Sequence, residues 1–170
     1  YFYSWTPMLY KDDRLILTGG FFTETSLEKS DNTFVTNIYD VVKGKGVYTN
    51  SYPEQYQKYE WDGGFFYRQP SISLYSDSSF LLGFSADHRL RHYDWKTGEQ
   101  TYFYAGSKDI KDIEPLRTSK VFVAEHPNDE IRDWYYSQPS YEGVFADPYK
   151  HLVYRIARLP NKKKKKGTFN

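Results

Sequence analysis

The sequence predicts an all-β fold made of antiparallel four-stranded meanders, each the size of one blade of a β-propeller. The first reason is composition: 18 Tyr, 12 Phe and 4 Trp accompany a single Met, and aromatic side chains favour strands. The second is a series of short apolar segments and turn residues between positions 71 and 106. The third is that this pattern recurs, because the turn residues Asp12, Asp77 and Asp147 fall 65 and 70 residues apart.

Residues 71–106 are predicted to form one complete meander, because each apolar segment is followed by residues that reverse the chain. Asp and Ser side chains hydrogen-bond to their own backbone in turns, and Gly98 can adopt a positive φ. The four predicted strands are Ile72 to Tyr75, Phe80 to Ser85, Arg89 to Asp94 and Gln100 to Tyr104.

A similar unit precedes this meander. Residues Met8 to Leu17 align with Ser73 to Leu82, and the middle turn of the earlier unit is enlarged into a polar loop from Thr23 to Thr33. Residues Tyr52 to Gly64 are predicted to be a connecting loop, since their aromatic and charged residues follow neither a strand period nor a helix period.

A third unit is predicted to begin at Tyr135, because the Gln-Pro-Ser sequence that starts at Gln69 recurs at Gln138. Residues Val144 to Tyr154 then repeat the order strand, Asp turn, strand. The prolines of the two Gln-Pro-Ser sequences would stand at strand starts, where a missing N–H does not interrupt the ladder.

The predicted organisation is one domain over residues 1–170, with blade-like units at about 1–52, 64–106 and 135–170. The connections are 53–63 and 107–134, and the second contains a short predicted strand from Lys120 to Ala124. About two and a half blades cannot close a ring of roughly four to eight blades. We therefore expect the chain to be a fragment, or the ordered part, of a longer polypeptide.

Several sequence elements resemble the TolB-like six-bladed β-propeller lipoproteins of Bacteroidota, a group largely without assigned function. These elements are Tyr93 to Glu99, the two Gln-Pro-Ser sequences, and Asp147 to Arg155. The segments Phe84 to Glu99 and Ala105 to Leu116 are similar to the central blade of that family. The resemblance implies a six-bladed ring of roughly twice this length, exported and held on the outer membrane by a lipidated cysteine upstream of Tyr1.

The resemblance also implies a function. Such a lipoprotein would be a surface-exposed or periplasmic accessory protein of an outer-membrane assembly that takes up peptides or glycans as nutrients. We therefore expect protein partners and a peptide or glycan ligand, with recognition by loops and aromatic side chains on one rim of the ring. Contact with the membrane would be through the lipid anchor alone.

Composition excludes other classes of function. The 23 Lys plus Arg and 22 Asp plus Glu give a net charge of +1, which disfavours a nucleic-acid partner. The chain has no cysteine, so it can form no disulfide, thiolate nucleophile or Cys-based zinc site. On a strand, His88 and His92 would lie about 13 Å apart, too far to share a metal. We expect no metal and no cofactor.

An enzymatic alternative stays open, namely a propeller hydrolase or lyase acting on polysaccharide. A glycosidase needs two carboxylates about 5–9 Å apart, whereas the acidic residues of this chain concentrate in polar turns. No nucleophile-elbow or phosphate-binding motif is present. The lysine run from Lys162 to Lys166 is interpreted as a solvated loop rather than a site for lipid or nucleic acid.

The aromatic excess is the feature that most suggests binding, because Tyr and Trp supply rigid, amphipathic contact area for sugars and protein partners. The candidates lie in the first connection and near the third unit, and no catalytic residue is assigned. The predicted ligand-binding or partner-binding residues are Tyr52, Tyr56, Tyr59, Trp61, Trp134, Tyr135, Tyr136 and Tyr141. The sequence thus favours a non-catalytic binding or scaffolding propeller.

Overall fold

A computed structural model describes residues 2–4, 7–21, 34–59, 61, 67–116 and 128–160. Within these residues the protein is all-β, with eleven strands in three antiparallel sheets and two helices. The prediction of an all-β fold with antiparallel four-stranded sheets is confirmed, and closure of the sheets into a propeller stays a prediction.

Sheet 1 is formed by the first five strands. They are β1 (Phe2–Ser4), β2 (Leu9–Lys11), β3 (Arg14–Phe21), β4 (Phe34–Asp40) and β5 (Lys45–Ser51). Strand β2 pairs with the start of β3 and β1 with its end, and β4 lies between β3 and β5. The predicted turn at Asp12 is confirmed, with Asp12 and Asp13 both at positive φ.

Sheet 2 is the predicted meander, and its strands follow one another in sequence order. They are β6 (Pro70–Leu74), β7 (Ser79–Phe84), β8 (Arg89–Asp94) and β9 (Gln100–Tyr104). The predicted strands agree with these bounds to within two residues at each end. In the last turn, Asp94 accepts hydrogen bonds from the backbone N–H groups of Lys96 and Thr97, and Gly98 adopts a φ of 75°.

Sheet 3 is a hairpin of β10 (Ser140–Asp147) and β11 (Leu152–Arg158), with a bulge between Tyr141 and Gly143. The prediction of strand, Asp turn and strand in the third unit is confirmed. The helices are α1 (Glu54–Lys58), after sheet 1, and α2 (Asn128–Ser137), before sheet 3.

Sheet 2 lies between the other two sheets. Every residue of β7 is buried, although an antiparallel strand at a protein surface exposes one face. Phe80 and Leu82 belong to a core cluster that includes Ile16 of sheet 1, whereas Leu81 packs in a second cluster with Val144 of sheet 3. The alternate residues of β7 therefore fill two different interfaces.

The connection after sheet 1 differs from the predicted loop, because it contains α1. Tyr52 and Tyr56 stand four residues apart, and both are buried with Trp61 in the core between sheets 1 and 2. The hydroxyl of Tyr56 donates to the carbonyl of Tyr67 and accepts the N–H of Ala86, both at 2.8 Å. Tertiary packing of these rings thus stabilises a helix too short to be stable alone.

Helix α2 extends into the predicted third unit. Its last residues are Tyr135 to Ser137. The strand begins at Ser140, directly after Pro139, since proline cannot continue a helix.

Three further predictions lie outside the described residues: the loop from Thr23 to Thr33, the strand from Lys120 to Ala124, and the run from Lys162 to Lys166. In the described part of the chain, neither helix is long and apolar enough to cross a membrane.

Candidate functional site

A groove of about 460 Å³ opens where the first strands of sheets 2 and 3 lie side by side. Strands β6 and β10 form its walls, and side chains from the preceding segments complete them. The described lining residues are Pro7, Gln69, Pro70, Ser71, Ile72, Ser85, Tyr135, Ser140, Glu142, Gly143, Val144 and Phe145. This volume is in the range of small-molecule binding sites.

Two hydrogen bonds between the sheets hold the walls of the groove together. The N–H of Ala146 donates to the hydroxyl of Ser73 at 2.9 Å, and the N–H of Tyr141 donates to the carbonyl of Ser85 at 2.9 Å. The bonds lie towards opposite ends of β10. One reaches β6 and the other reaches the residue after β7, so the position of β10 against sheet 2 is fixed on either side of the groove.

The free edge of β6 faces the groove with backbone groups. The N–H of Tyr75 donates to the carbonyl of Ser79, so these two residues form a hydrogen-bonded pair. The ladder of β6 and β7 continues from this pair. Because bonded and non-bonded pairs alternate along an antiparallel ladder, the N–H and C=O of Ile72 point away from β7. Ile72 lines the groove and therefore offers it one donor and one acceptor.

Glu142 stands at the bulge of β10 and brings a carboxylate to the groove. Its Oε1 lies 2.7 Å from Nε of Arg158 and accepts the hydroxyl of Ser140 at 3.3 Å. The guanidinium of Arg158 also donates to the Ser140 hydroxyl at 3.0 Å and lies 4.0 Å from the centre of the Tyr135 ring. The carboxylate is therefore oriented by a fixed cation.

Arg155 joins sheet 3 to sheet 2 beside the groove. Its guanidinium donates to the carbonyls of Phe84, Asp87 and Ala105 at 3.0, 2.6 and 3.3 Å, and lies over the ring of Tyr141. Burial lowers the pKa of Arg155 to about 10, so the side chain remains cationic at neutral pH. These contacts make it a structural link.

The predicted aromatic candidates divide into three groups. Tyr52, Tyr56, Trp61 and Tyr141 are buried, and their contacts are with the protein core. Trp134 and Tyr135 are partly buried against that core, and Tyr135 alone among the eight lines the groove. Tyr59 and Tyr136 are exposed, and a binding role for them stays a prediction.

His88, directly before β8, and His92, within β8, have different hydrogen-bond partners. His88 shares a 2.8 Å hydrogen bond with the hydroxyl of Tyr141, and His92 contacts the hydroxyl of Thr101 at 3.4 Å. Among the described residues there is no group of three or more His, Asp and Glu side chains that could hold a metal ion.

Sequence reasoning missed Ser71, Ser140 and Glu142 as groove residues, although a signal was present. The two Gln-Pro-Ser sequences start β6 and β10, and the serine of each lines the same groove. Strands β6 and β10 lie side by side, so a short sequence repeated at the start of both strands brings the repeated side chains together. By itself, the repeated sequence indicates a structural repeat and does not indicate a site.

Comparison with known proteins gives a family and a fold. No curated protein matches the chain. The chain is similar to the crystal structure of a DUF4221 family member from Bacteroides vulgatus, with a TM-score of 0.67 and 19% identity. The similarity covers 95% of this chain and 44% of that one, so the chain spans less than half of its solved relative. The DUF4221 profile, described as a domain of unknown function, matches residues 8–170, and the chain therefore belongs to the DUF4221 family.

Proposed function

We propose that the chain is a non-catalytic binding module and that the groove between β6 and β10 is its ligand site. The observation that carries the proposal is that the described lining holds a single carboxylate, Glu142, which pairs with Arg158. Glycoside hydrolysis requires two carboxylates about 5–9 Å apart across the sugar. The groove instead offers oriented hydrogen-bonding groups, which are suited to recognition.

We further propose that the three sheets are blades of a β-propeller of the TolB-like type. The complete burial of β7 supports this, because a blade is covered on both faces. The outer face of sheet 3 also exposes Phe145, Tyr154 and Ile156, which neighbour one another in the β10 and β11 register. A further sheet packed there would continue the existing order of sheets.

The sequence resemblance to TolB-like lipoproteins supports a proposal about location. The chain would belong to a lipid-anchored accessory protein of an outer-membrane uptake assembly, with protein partners in that assembly. Its ligand would be a peptide or a glycan, and the groove would bind this ligand without converting it.

Equilibrium binding combined with product analysis tests the proposed function. The chain is titrated with soluble oligosaccharides and oligopeptides, and each mixture is analysed by mass spectrometry after prolonged incubation. We expect saturable binding and unchanged ligand masses. Cleavage of a ligand at a rate abolished by one carboxylate substitution would overturn the proposal in favour of an enzyme.

A further inference from the structure

We infer that the ligand of the groove is an uncharged, hydroxyl-rich carbohydrate, an inference that rests on the proposed binding function. It goes beyond that function because it selects one of two ligand classes. Three properties of the groove lead to it: its charge, its hydrogen-bonding groups and its apolar surfaces.

The charge of the groove is balanced within the protein. Glu142 is the only one of the twelve described lining residues that carries a charge at neutral pH, and Arg158 lies 2.7 Å from it. An anionic ligand would meet the carboxylate, and a cationic ligand would have to compete with a guanidinium that already occupies it. A neutral ligand has neither difficulty.

The groove presents both hydrogen-bond donors and hydrogen-bond acceptors, and they lie close to one another in the lining. The described contacts of the Glu142 carboxylate use Oε1, and its side chain is 43% exposed, so Oε2 is available as an acceptor. Ser71 adds a hydroxyl, Gln69 adds an amide, and Ile72 adds its outward N–H and C=O. A hydroxyl group both donates and accepts, and adjacent sugar hydroxyls match such a mixture.

The lining also includes apolar side chains. Pro7, Pro70 and Tyr135 contribute ring surface next to the polar groups. A pyranose ring presents C–H groups on its faces and hydroxyls around its edge, so it can cover this surface while its edge is hydrogen-bonded. A peptide would need a recess for each second side chain and a partner for its charged ends.

Titration of the chain with four hexameric probes of defined charge tests the inference. The probes are the neutral hexasaccharides of glucose and of xylose, hexagalacturonate, and an uncharged hexapeptide with acetylated and amidated ends. We expect at least one neutral hexasaccharide to bind at least tenfold more tightly than hexagalacturonate and the peptide, by calorimetry.

Variants locate the site. Glu142→Gln should weaken binding of the neutral hexasaccharide about tenfold, because it removes an ionised acceptor. Ser71→Ala should weaken it severalfold and leaves the ion pair intact, so it remains informative if Glu142→Gln fails to fold. Glu99→Gln, in the exposed turn before β9, is the matched control and should leave affinity unchanged.

The outcomes separate the two proposals. If the peptide binds in the groove and no neutral hexasaccharide does, the carbohydrate inference is wrong and the binding function stands. If hexagalacturonate binds as tightly as the neutral sugars, the inference is also wrong. If no probe binds, or if Glu142→Gln and Ser71→Ala bind like the control, both the inference and the assigned site are wrong.

Discussion

The guanidinium carbon of Arg155 lies 3.6 Å from the centre of the Tyr141 ring. Tyr141 is buried at the start of β10. Its hydroxyl accepts the N–H of Ser107 and shares a hydrogen bond with Nδ1 of His88. Ser107 follows β9 and His88 precedes β8, so the stacked pair of Arg155 and Tyr141 joins sheet 3 to sheet 2. The groove lies beside the same junction, so its shape depends on this contact.

Arg155→Met should lower the free energy of unfolding by about 2–4 kcal/mol. The change keeps most of the apolar stem but leaves the carbonyls of Phe84, Asp87 and Ala105 without their shared donor. Urea unfolding followed by fluorescence measures the loss. Arg132→Met, on the exposed side of α2, is the control and should change stability by less than about 0.5 kcal/mol. Equal losses in both variants would contradict the structural role of Arg155.

Tyr56→Phe should cost about 1–3 kcal/mol although it removes only one oxygen. The Tyr56 hydroxyl is the partner of two buried backbone groups, the N–H of Ala86 and the carbonyl of Tyr67. Tyr59→Phe, three residues further on and exposed, should be neutral. Thermal unfolding measures the stability of both variants. If Tyr56→Phe leaves the stability unchanged, the ring of Tyr56 and not its hydroxyl stabilises α1.

Stability should fall as the pH drops below the ordinary aspartate pKa of 3.8. The Ser78 hydroxyl, and then the N–H groups of Thr97 and Lys96, lower the pKa of Asp94 in the folded protein. A lowered folded-state pKa gives stability that is present above the unfolded pKa and lost as the pH falls through the folded value. Asp94→Asn should flatten the acid limb of a melting-temperature profile, and an unchanged limb would exclude Asp94 as a contributor.

Replacing the exposed apolar face of sheet 3 should reduce self-association without loss of stability. Tyr154 and Ile156 are each 51% exposed on neighbouring positions of β11. Tyr154→Lys with Ile156→Lys should lower binding of a hydrophobic dye and the light scattering of the chain, since apolar sheet faces associate. Tyr149→Lys, at an isolated turn position that is 94% exposed, is the control. Unchanged scattering in the double variant would argue against this face as a packing surface.

Sheet 2 could be predicted from sequence because its signals are local. The Asp, Ser and Gly98 turns bound its strands, and these residues reverse the chain by their own backbone bonds. The helices could not be predicted in this way. Helix α1 depends on the burial of Tyr56 against Trp61 and Phe84, which are brought to it by sheet packing.

The groove depends on contacts between residues far apart in the chain. Ser73 and Ala146, whose hydrogen bond fixes one end of it, are 73 positions apart. No local pattern reports such a pairing. Six of the eight aromatic side chains that suggested a site are buried or partly buried. Composition gives the number of aromatic residues, but packing decides which of them reach solvent.

Site-directed thiol labelling tests the central claim most directly, because the chain has no cysteine of its own. Gln69→Cys places one thiol on the groove wall, and Lys96→Cys places one in the distant exposed turn after β8. The reaction of each variant with a maleimide is followed with and without a saturating oligosaccharide or oligopeptide ligand. We predict that the ligand slows labelling at position 69 at least tenfold and leaves position 96 unchanged. Equal labelling rates at position 69 with and without bound ligand would contradict the groove as the binding site.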